Sequence, residues 1–138
     1  MRTAADPTLV DEDFSPTRGT TDTEEAAADA VIAAIRERDP GAPLEKIRTP
    51  IANTDRKLLG VFQVVDAGTY AMSSEKEANQ DPAQRAAVSR LVFNRGVVYP
   101  TGSELQAMIK RYPYIVRVWA GEIAEMSGAF KGSEREKV

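Results

Sequence analysis

Residues 103–128 read SELQAMIKRYPYIVRVWAGEIAEMSG, and this stretch predicts two helices joined at a proline. Ser103 is suited to cap the first helix, because Gln106 follows three residues later in the pattern of a capping box. Pro113 cannot lie inside a helix and therefore separates the two segments. Apolar residues recur at helical spacing, as Leu105, Met108 and Ile109 in the first helix and as Ile115, Val118, Trp119, Ile123 and Met126 in the second. Trp119 is most simply a core residue, and the alternative is an anchor for a partner protein.

A further helix precedes this pair, and both of its ends are marked. Asp81 and Pro82 form a strong start, with an acid at the N-cap and a proline at the first helical position. Gly96 is predicted to end the helix in the left-handed conformation. The apolar stripe between these ends consists of Ala83, Ala87, Val88, Leu91 and Val92. Residues 66–79 predict a more polar helix, with Tyr70 and Met72 as its apolar anchors.

The middle of the chain predicts a β-hairpin at about residues 44–65. Residues 44–48 alternate between apolar and charged, and residues 53–55, Asn-Thr-Asp, supply a turn. Residues 58–65 are rich in β-branched side chains. We expect Leu59, Val61 and Gln63 on one face of this strand and Leu58, Phe62 and Val64 on the other. Two strands alone are marginal, so the hairpin must pack on helices or pair with another chain.

The first helix is predicted to begin at residue 22, with Thr21 or Asp22 as its cap. An apolar face follows, made of Val31, Ile32 and Ile35, and residues 40–41, Pro-Gly, stop the helix. Acidic residues lie on its first turns, namely Glu24, Glu25 and Asp29. They favour the positive end of the helix dipole. Such a set can hold a cation, but on an Ala-rich helix it is more typical of a solvated face.

These elements predict a mainly α fold with a small β-hairpin, an α+β class, in one compact helical domain over residues 22–130. Residues 1–21 predict a flexible polar arm, because so few apolar side chains cannot offset the entropy of ordering. Within this arm, Leu9, Val10 and Phe14 are either anchors that dock on a partner or isolated apolar residues of a plain leader. Residues 131–138 form a charged tail.

The composition argues against an enzyme. The chain of 138 residues is 42% hydrophobic, which suits one domain with a real core, and it contains no His and no Cys. Most general acid–base catalysis uses histidine, and thiol nucleophiles and most zinc sites need cysteine or histidine. No phosphate-binding glycine loop or nucleophile elbow is present. We therefore expect no catalytic residues, no cofactor-binding residues and no metal ligands.

The charge and hydropathy exclude two further classes of partner. The formal net charge is −3, and basic residues such as Lys46, Arg48 and Arg56 are scattered, so nucleic acid is not expected. These residues are predicted to be solvated. Apolar stretches are too short to span a membrane, and the N-terminus shows no secretory pattern. We expect a protein of the cytosol.

The order of parts from Leu58 to Gly128 resembles the small tail assembly chaperones encoded by long-tailed bacteriophages. The shared parts are a short hairpin, a polar helix, a helix that leads into a VVYP-type segment, and a pair of helices. The residues that carry the resemblance are Leu91-Val92, Val97-Val98-Tyr99-Pro100, Ser103-Glu104-Leu105, Tyr112-Pro113 and Ile123-Ala124-Glu125-Met126-Ser127-Gly128. The arm and the first helix have no counterpart in this resemblance.

The resemblance implies a non-enzymatic chaperone of the host cytoplasm, active during virion morphogenesis. Its partners would be the tape-measure protein and the tail-tube subunits, with no cofactor, no nucleic acid and no membrane. The alternative is a structural component of the virion, a minor tail or connector protein, whose arm orders against neighbouring subunits. If binding uses an apolar groove, we expect at its rim Tyr99, Leu105, Ile109, Tyr112 and Trp119.

Overall fold

A computed structural model describes residues 18–75 and 81–132, with side chains up to Gly128. In chain order the elements are α1 (Asp22–Arg38), β1 (Leu44–Pro50), β2 (Lys57–Gln63), α2 (Ala67–Glu75), α3 (Pro82–Gly96), β3 (Val97–Tyr99), α4 (Gly102–Arg111) and α5 (Ile115–Gly132). The predicted α+β class, mainly helical with a small sheet, is confirmed. Most of the predicted arm, including Leu9, Val10 and Phe14, and most of the predicted tail lie outside the described residues.

The predicted hairpin is present, and a third strand completes it as an antiparallel sheet of order β1-β2-β3. β1 and β2 pair along their full length, from Leu44 opposite Gln63 to Pro50 opposite Lys57. Asn53, in the predicted turn, has a φ of 65°. Asparagine tolerates this left-handed conformation better than most residues. The predicted extended piece at residues 97–100 supplies β3, which pairs with β2 through Tyr99 opposite Val61.

The central strand β2 is covered on both faces, so the molecule has three layers. Leu59 and Val61 face α1 and pack with its fully buried Ala28. Leu58 and Phe62 face the opposite way, into the core formed with α3 and α5. The alternation predicted for residues 58–62 is therefore confirmed. A strand buried on both faces needs apolar residues at nearly every position, which explains the run LLGVF.

Trp119 lies at the centre of the larger core and is 0% exposed. Its ring meets Phe62 edge-on, with centroids 5.0 Å apart, and stacks on Phe93 at 6.2 Å. The indole N–H donates a hydrogen bond of 2.8 Å to the Thr49 hydroxyl on β1. A single side chain thus connects α5 to α3 and to two strands.

Gly96 corrects one prediction. Its φ is not positive, since only Gly19 and Gly102 have positive φ among the described glycines. A Cβ at Gly96 would lie 2.5 Å from Cγ2 of Ile123. The missing side chain therefore serves the close approach of α3 and α5 and not a left-handed helix end. Within α3, the buried positions are Val88, Ser89, Val92, Phe93 and Gly96, and the predicted Ala83 and Ala87 are exposed.

The cap of α4 and the buried face of α2 also differ from the predictions. Ser103 does not cap α4: the N-cap is Thr101, whose carbonyl accepts from the Leu105 N–H, and Gly102 takes a positive φ at the first helical position. Helix α2 buries Thr69 and Ser73 and leaves Met72 46% exposed. Asp66 accepts the Thr69 N–H at 2.7 Å, and the Thr69 hydroxyl accepts a hydrogen bond of 2.6 Å from Arg95, so this polar side chain is satisfied where it is buried.

Two glycines of the helical layer provide a test of the packing. We expect Gly96→Ala to lower the free energy of unfolding by about 1–3 kcal/mol, because the new methyl group overpacks against the branched side chain of Ile123. Gly121→Ala is the matched control: a Cβ there meets nothing within 4 Å, so higher helix propensity should raise stability by up to about 1 kcal/mol. Urea denaturation followed by Trp119 fluorescence measures both. Equal effects of the two substitutions would contradict the close-packing role of Gly96.

Candidate partner-binding groove

An open groove of about 250 Å³ lies at the edge of the sheet where β3 ends. Helix α4 forms one wall, and the beginning of β2 forms the other. Its uncharged lining consists of Leu58, Leu59, Tyr99, Pro100, Ala107, Met108 and Tyr112. Such a surface, apolar with aromatic side chains, is typical of the central part of a protein–protein interface.

The groove exists because α4 is amphipathic and only partly covered. Leu105, Met108, Ile109 and Tyr112 form a stripe at helical spacing, yet none of the residues of α4 is fully buried. The larger core is already filled by α3 and α5, and α4 lies against its margin. Two residues of this stripe, Met108 and Tyr112, are therefore only half-buried and line the groove.

The five predicted rim residues within the described chain have three different positions. Tyr99 and Tyr112 line the groove. Leu105 and Ile109 pack against the larger core, and Ile109 also lines a second depression, of about 690 Å³, between α3 and α5. Trp119 is wholly buried and does not reach the rim, so its placement there was wrong and its interpretation as a core residue holds. Leu58 and Met108 also line the groove and were not predicted to do so. The sequence pattern assigns Leu58 to one face of a strand and Met108 to the apolar stripe of a helix, and neither assignment distinguishes a groove from a core.

Charged side chains border the groove on two sides. Glu24 and Glu104 lie toward α1 and the start of α4, and Arg111 lies at the far end of α4. Among the described residues Glu104 has no ion pair, whereas Glu24 accepts a hydrogen bond of 3.2 Å from Arg56. Burial raises the pKa of the Tyr99 phenol, and the nearby carboxylates of Glu104 and Glu24 act in the same direction. Tyr99 therefore stays neutral at physiological pH, and the groove holds net negative charge at this end.

The other end of the groove is an aromatic corner between α4 and α5. The Arg111 guanidinium lies 5.6 Å from the centre of the Tyr112 ring, and its Nε donates to the Tyr112 hydroxyl at 3.1 Å. Tyr112 in turn meets Tyr114 edge-on at 6.2 Å, and Tyr114 is 46% exposed. Tyrosine and arginine are the residues most enriched where binding energy concentrates in interfaces.

The acids of α1 form ion pairs with β1 and the following turn. Glu25 accepts hydrogen bonds from Arg48 at 2.7 and 2.9 Å and from Lys46 at 3.1 Å, and Lys46 also reaches Asp29 at 2.7 Å. The predicted solvation of these acids and bases is wrong for Glu25, Arg48 and Lys46, whose side chains are 12%, 19% and 23% exposed. Both carboxylate oxygens of Glu25 already accept hydrogen bonds from basic side chains, which also disfavours the hypothesis that these acids hold a cation. The hydrogen bond from Arg48, helped by Thr20 and Lys46 and opposed by burial, lowers the pKa of Glu25 to about 2.

The residues that the structure describes include no group of three or more acidic side chains arranged to hold a metal ion. Among the described helices, none has both the length and the apolar composition that crossing a lipid bilayer requires.

Comparison of the chain with protein-family models, with curated proteins and with solved structures finds no match.

Glu25→Gln tests the ion pairs that fix α1 on β1. We expect this change to lower the free energy of unfolding at pH 7 by about 2 kcal/mol, since hydrogen bonds to a charged group are lost. The folded-state pKa of Glu25 lies below its ordinary value of 4.5, so the stabilisation is complete above about pH 4.5 and is lost as the pH falls toward 2. Urea denaturation of both proteins between pH 2 and 7 should show their difference shrinking over that range.

Asp29→Asn is the control for this titration. Its carboxylate is 64% exposed and pairs with Lys46 alone among the described residues, so we expect a loss below about 1 kcal/mol. A pH-independent difference between the Glu25→Gln variant and the natural protein would contradict the ion-pair explanation.

Proposed function

We propose that this protein is a non-enzymatic tail assembly chaperone of a long-tailed bacteriophage, acting in the host cytoplasm. Its partners are the tape-measure protein and the tail-tube subunits before they assemble. The observation that carries the proposal is the open apolar groove beside α4, lined by Tyr99, Met108 and Tyr112. The resemblance of residues 58–128 to the chaperone family supplies the identity of the partners.

The apolar lining of the groove favours a helical partner segment. An amphipathic helix presents apolar side chains at i, i+3, i+4 and i+7 and fits an apolar groove in this way. α4 contributes Ala107 and Met108 to one wall of the groove, and Tyr112 follows directly after this helix. A tape-measure protein is a long helical chain, and covering its apolar stripe before assembly would keep it soluble.

The charges at the groove favour a particular orientation of that segment. Glu104, which has no ion pair among the described residues, would attract a lysine or arginine of the partner helix. Arg111 at the opposite end would attract an acidic residue. Because both ends are exposed, these contacts select the direction of binding more than they add affinity.

The proposal assigns no reaction to the groove. Its polar side chains are carboxylates, one arginine and two tyrosines, and burial of Tyr99 raises the pKa of its phenol further from neutrality. Most general acid–base catalysis uses histidine, and the chain contains none. Recognition of apolar and charged side chains is the chemistry that the set can perform.

Tyr112→Ala tests the groove as the binding surface. We expect this change to weaken the Kd for the tape-measure protein of the same phage by about 10- to 100-fold, because an aromatic anchor is lost from the groove. Its free energy of unfolding should change by less than about 1 kcal/mol, since Tyr112 is only half-buried. Isothermal titration calorimetry and urea denaturation give the two quantities.

Met72→Ala is the control variant, because it truncates an exposed apolar side chain on α2, which contributes no residue to the groove. We expect unchanged affinity. Equal affinity of the Tyr112→Ala and natural proteins would contradict the groove as the binding site. Mass spectrometry of purified phage particles addresses the chaperone role: stoichiometric presence in the particle would contradict transient action and favour a structural tail component.

A further inference from the structure

β1 is the outer strand of the sheet, and the direction of its backbone groups follows from two hydrogen bonds. The Ile51 N–H donates to the Arg56 carbonyl at 3.0 Å, so this opposed pair is a hydrogen-bonded one. The Lys57 N–H donates at 2.8 Å to the Gly19 carbonyl, which lies on the other side of β2. Because bonded and non-bonded pairs alternate in an antiparallel ladder, the odd-numbered residues of β1 bond to β2. The even-numbered residues direct their N–H and C=O groups outward.

Those outward groups have no partner among the residues that the structure describes. The N–H groups of Leu44, Lys46 and Arg48 point away from β2, and Pro50 has no N–H. A row of this kind is a template for pairing with another strand. Natural proteins often protect such an edge with charged side chains that project from it. Here Lys46 and Arg48 instead turn onto α1, where Glu25 and Asp29 bind them.

We propose that two copies of this chain pair antiparallel through β1 and form one continuous sheet, with three strands from each copy. Full overlap of the seven-residue strands places Ile47 opposite Ile47 of the second copy. Lys46 then exchanges both backbone hydrogen bonds with Arg48 of the second copy. Pro50 falls opposite Leu44, at the end of the ladder, where its missing N–H costs least. The arrangement has two-fold symmetry, the commonest symmetry of soluble oligomers.

The side chains on both faces of this pairing are compatible with it. On one face Lys46 lies near Arg48 of the second copy, but each copy also brings Glu25 and Asp29, so the four charges of a copy sum to zero. On the other face, half-buried Ile47 meets its own counterpart. The two copies therefore approach without net repulsion and with an apolar contact at the symmetry axis.

A second copy is the occupant that the exposed groups of β1 fit best, because antiparallel pairing brings Lys46 opposite Arg48 and Ile47 opposite its own counterpart. A second copy brings a strand of the same length and spacing.

Single cysteine substitutions test the register, because the chain contains no cysteine. Opposed residues of a non-hydrogen-bonded pair have Cα atoms about 4.5 Å apart, which lies within the range of a disulfide. We expect Ile47→Cys to form a covalent dimer under mild oxidation. Glu45→Cys is the control on the same strand and face: it would lie opposite Thr49, roughly 13 Å from its counterpart, and should stay monomeric on a non-reducing gel. Equal cross-linking of both variants would overturn the proposed register.

Amide hydrogen exchange on the unsubstituted chain gives a second test. We expect the N–H groups of Lys46 and Arg48 to exchange at least about tenfold more slowly at high than at low protein concentration. Those of Ile47 and Thr49, which bond to β2, should be protected at both concentrations. A sedimentation mass of one chain at every concentration, with fast exchange at Lys46 and Arg48, would overturn the proposal. Because β1 does not line the groove, a monomer that still binds its tape-measure protein would leave the proposed function intact.

Discussion

The indole ring of Trp119 lies on the backbone of Gly60, and the layered arrangement of the fold depends on this contact. A Cβ at Gly60 would lie 2.6 Å from Cη2 of the indole, so any other residue would push α5 away from the central strand. With glycine there, the ring comes close enough for its N–H to reach Thr49 on the neighbouring strand. Phe62 and Phe93 then enclose the ring. One small residue thus allows the largest residue of the chain to connect the helices with the sheet.

The elements and the two faces of β2 could be predicted from the sequence because they follow from local spacing. The alternation over residues 58–62 assigned the two faces of β2, and Pro113 separated α4 from α5. The role of Gly96 could not be predicted in the same way. A glycine at a helix end is usually explained by left-handed backbone, which is a local property. Here the deciding contact is with Ile123, which is distant in sequence and becomes a neighbour only when α3 packs on α5.

The groove was partly predictable for a related reason. Tyr99 and Tyr112 flank prolines at the ends of elements and both line the groove, Tyr112 as a half-buried and Tyr99 as a buried side chain. Trp119 was misplaced at the rim because a tryptophan on an apolar stripe has the same spacing whether it faces the core or a partner. The distinction depends on Gly60, which lies on β2 in the neighbouring layer. Leu58 was missed as a lining residue because nothing local shows that α4 stops short of covering it.

Helices cover both faces of β2, so the sheet is open to partners at its two edges, β1 and β3. On the β3 side the third strand ends after Tyr99, and the groove opens there. On the β1 side the backbone is exposed, while Glu25 and Asp29 hold the basic side chains that would otherwise project from it. These two edges lie on opposite sides of the central strand. A helix bound in the groove and a strand paired with β1 would therefore not compete for space. Each would complete a different edge of the same three-stranded sheet.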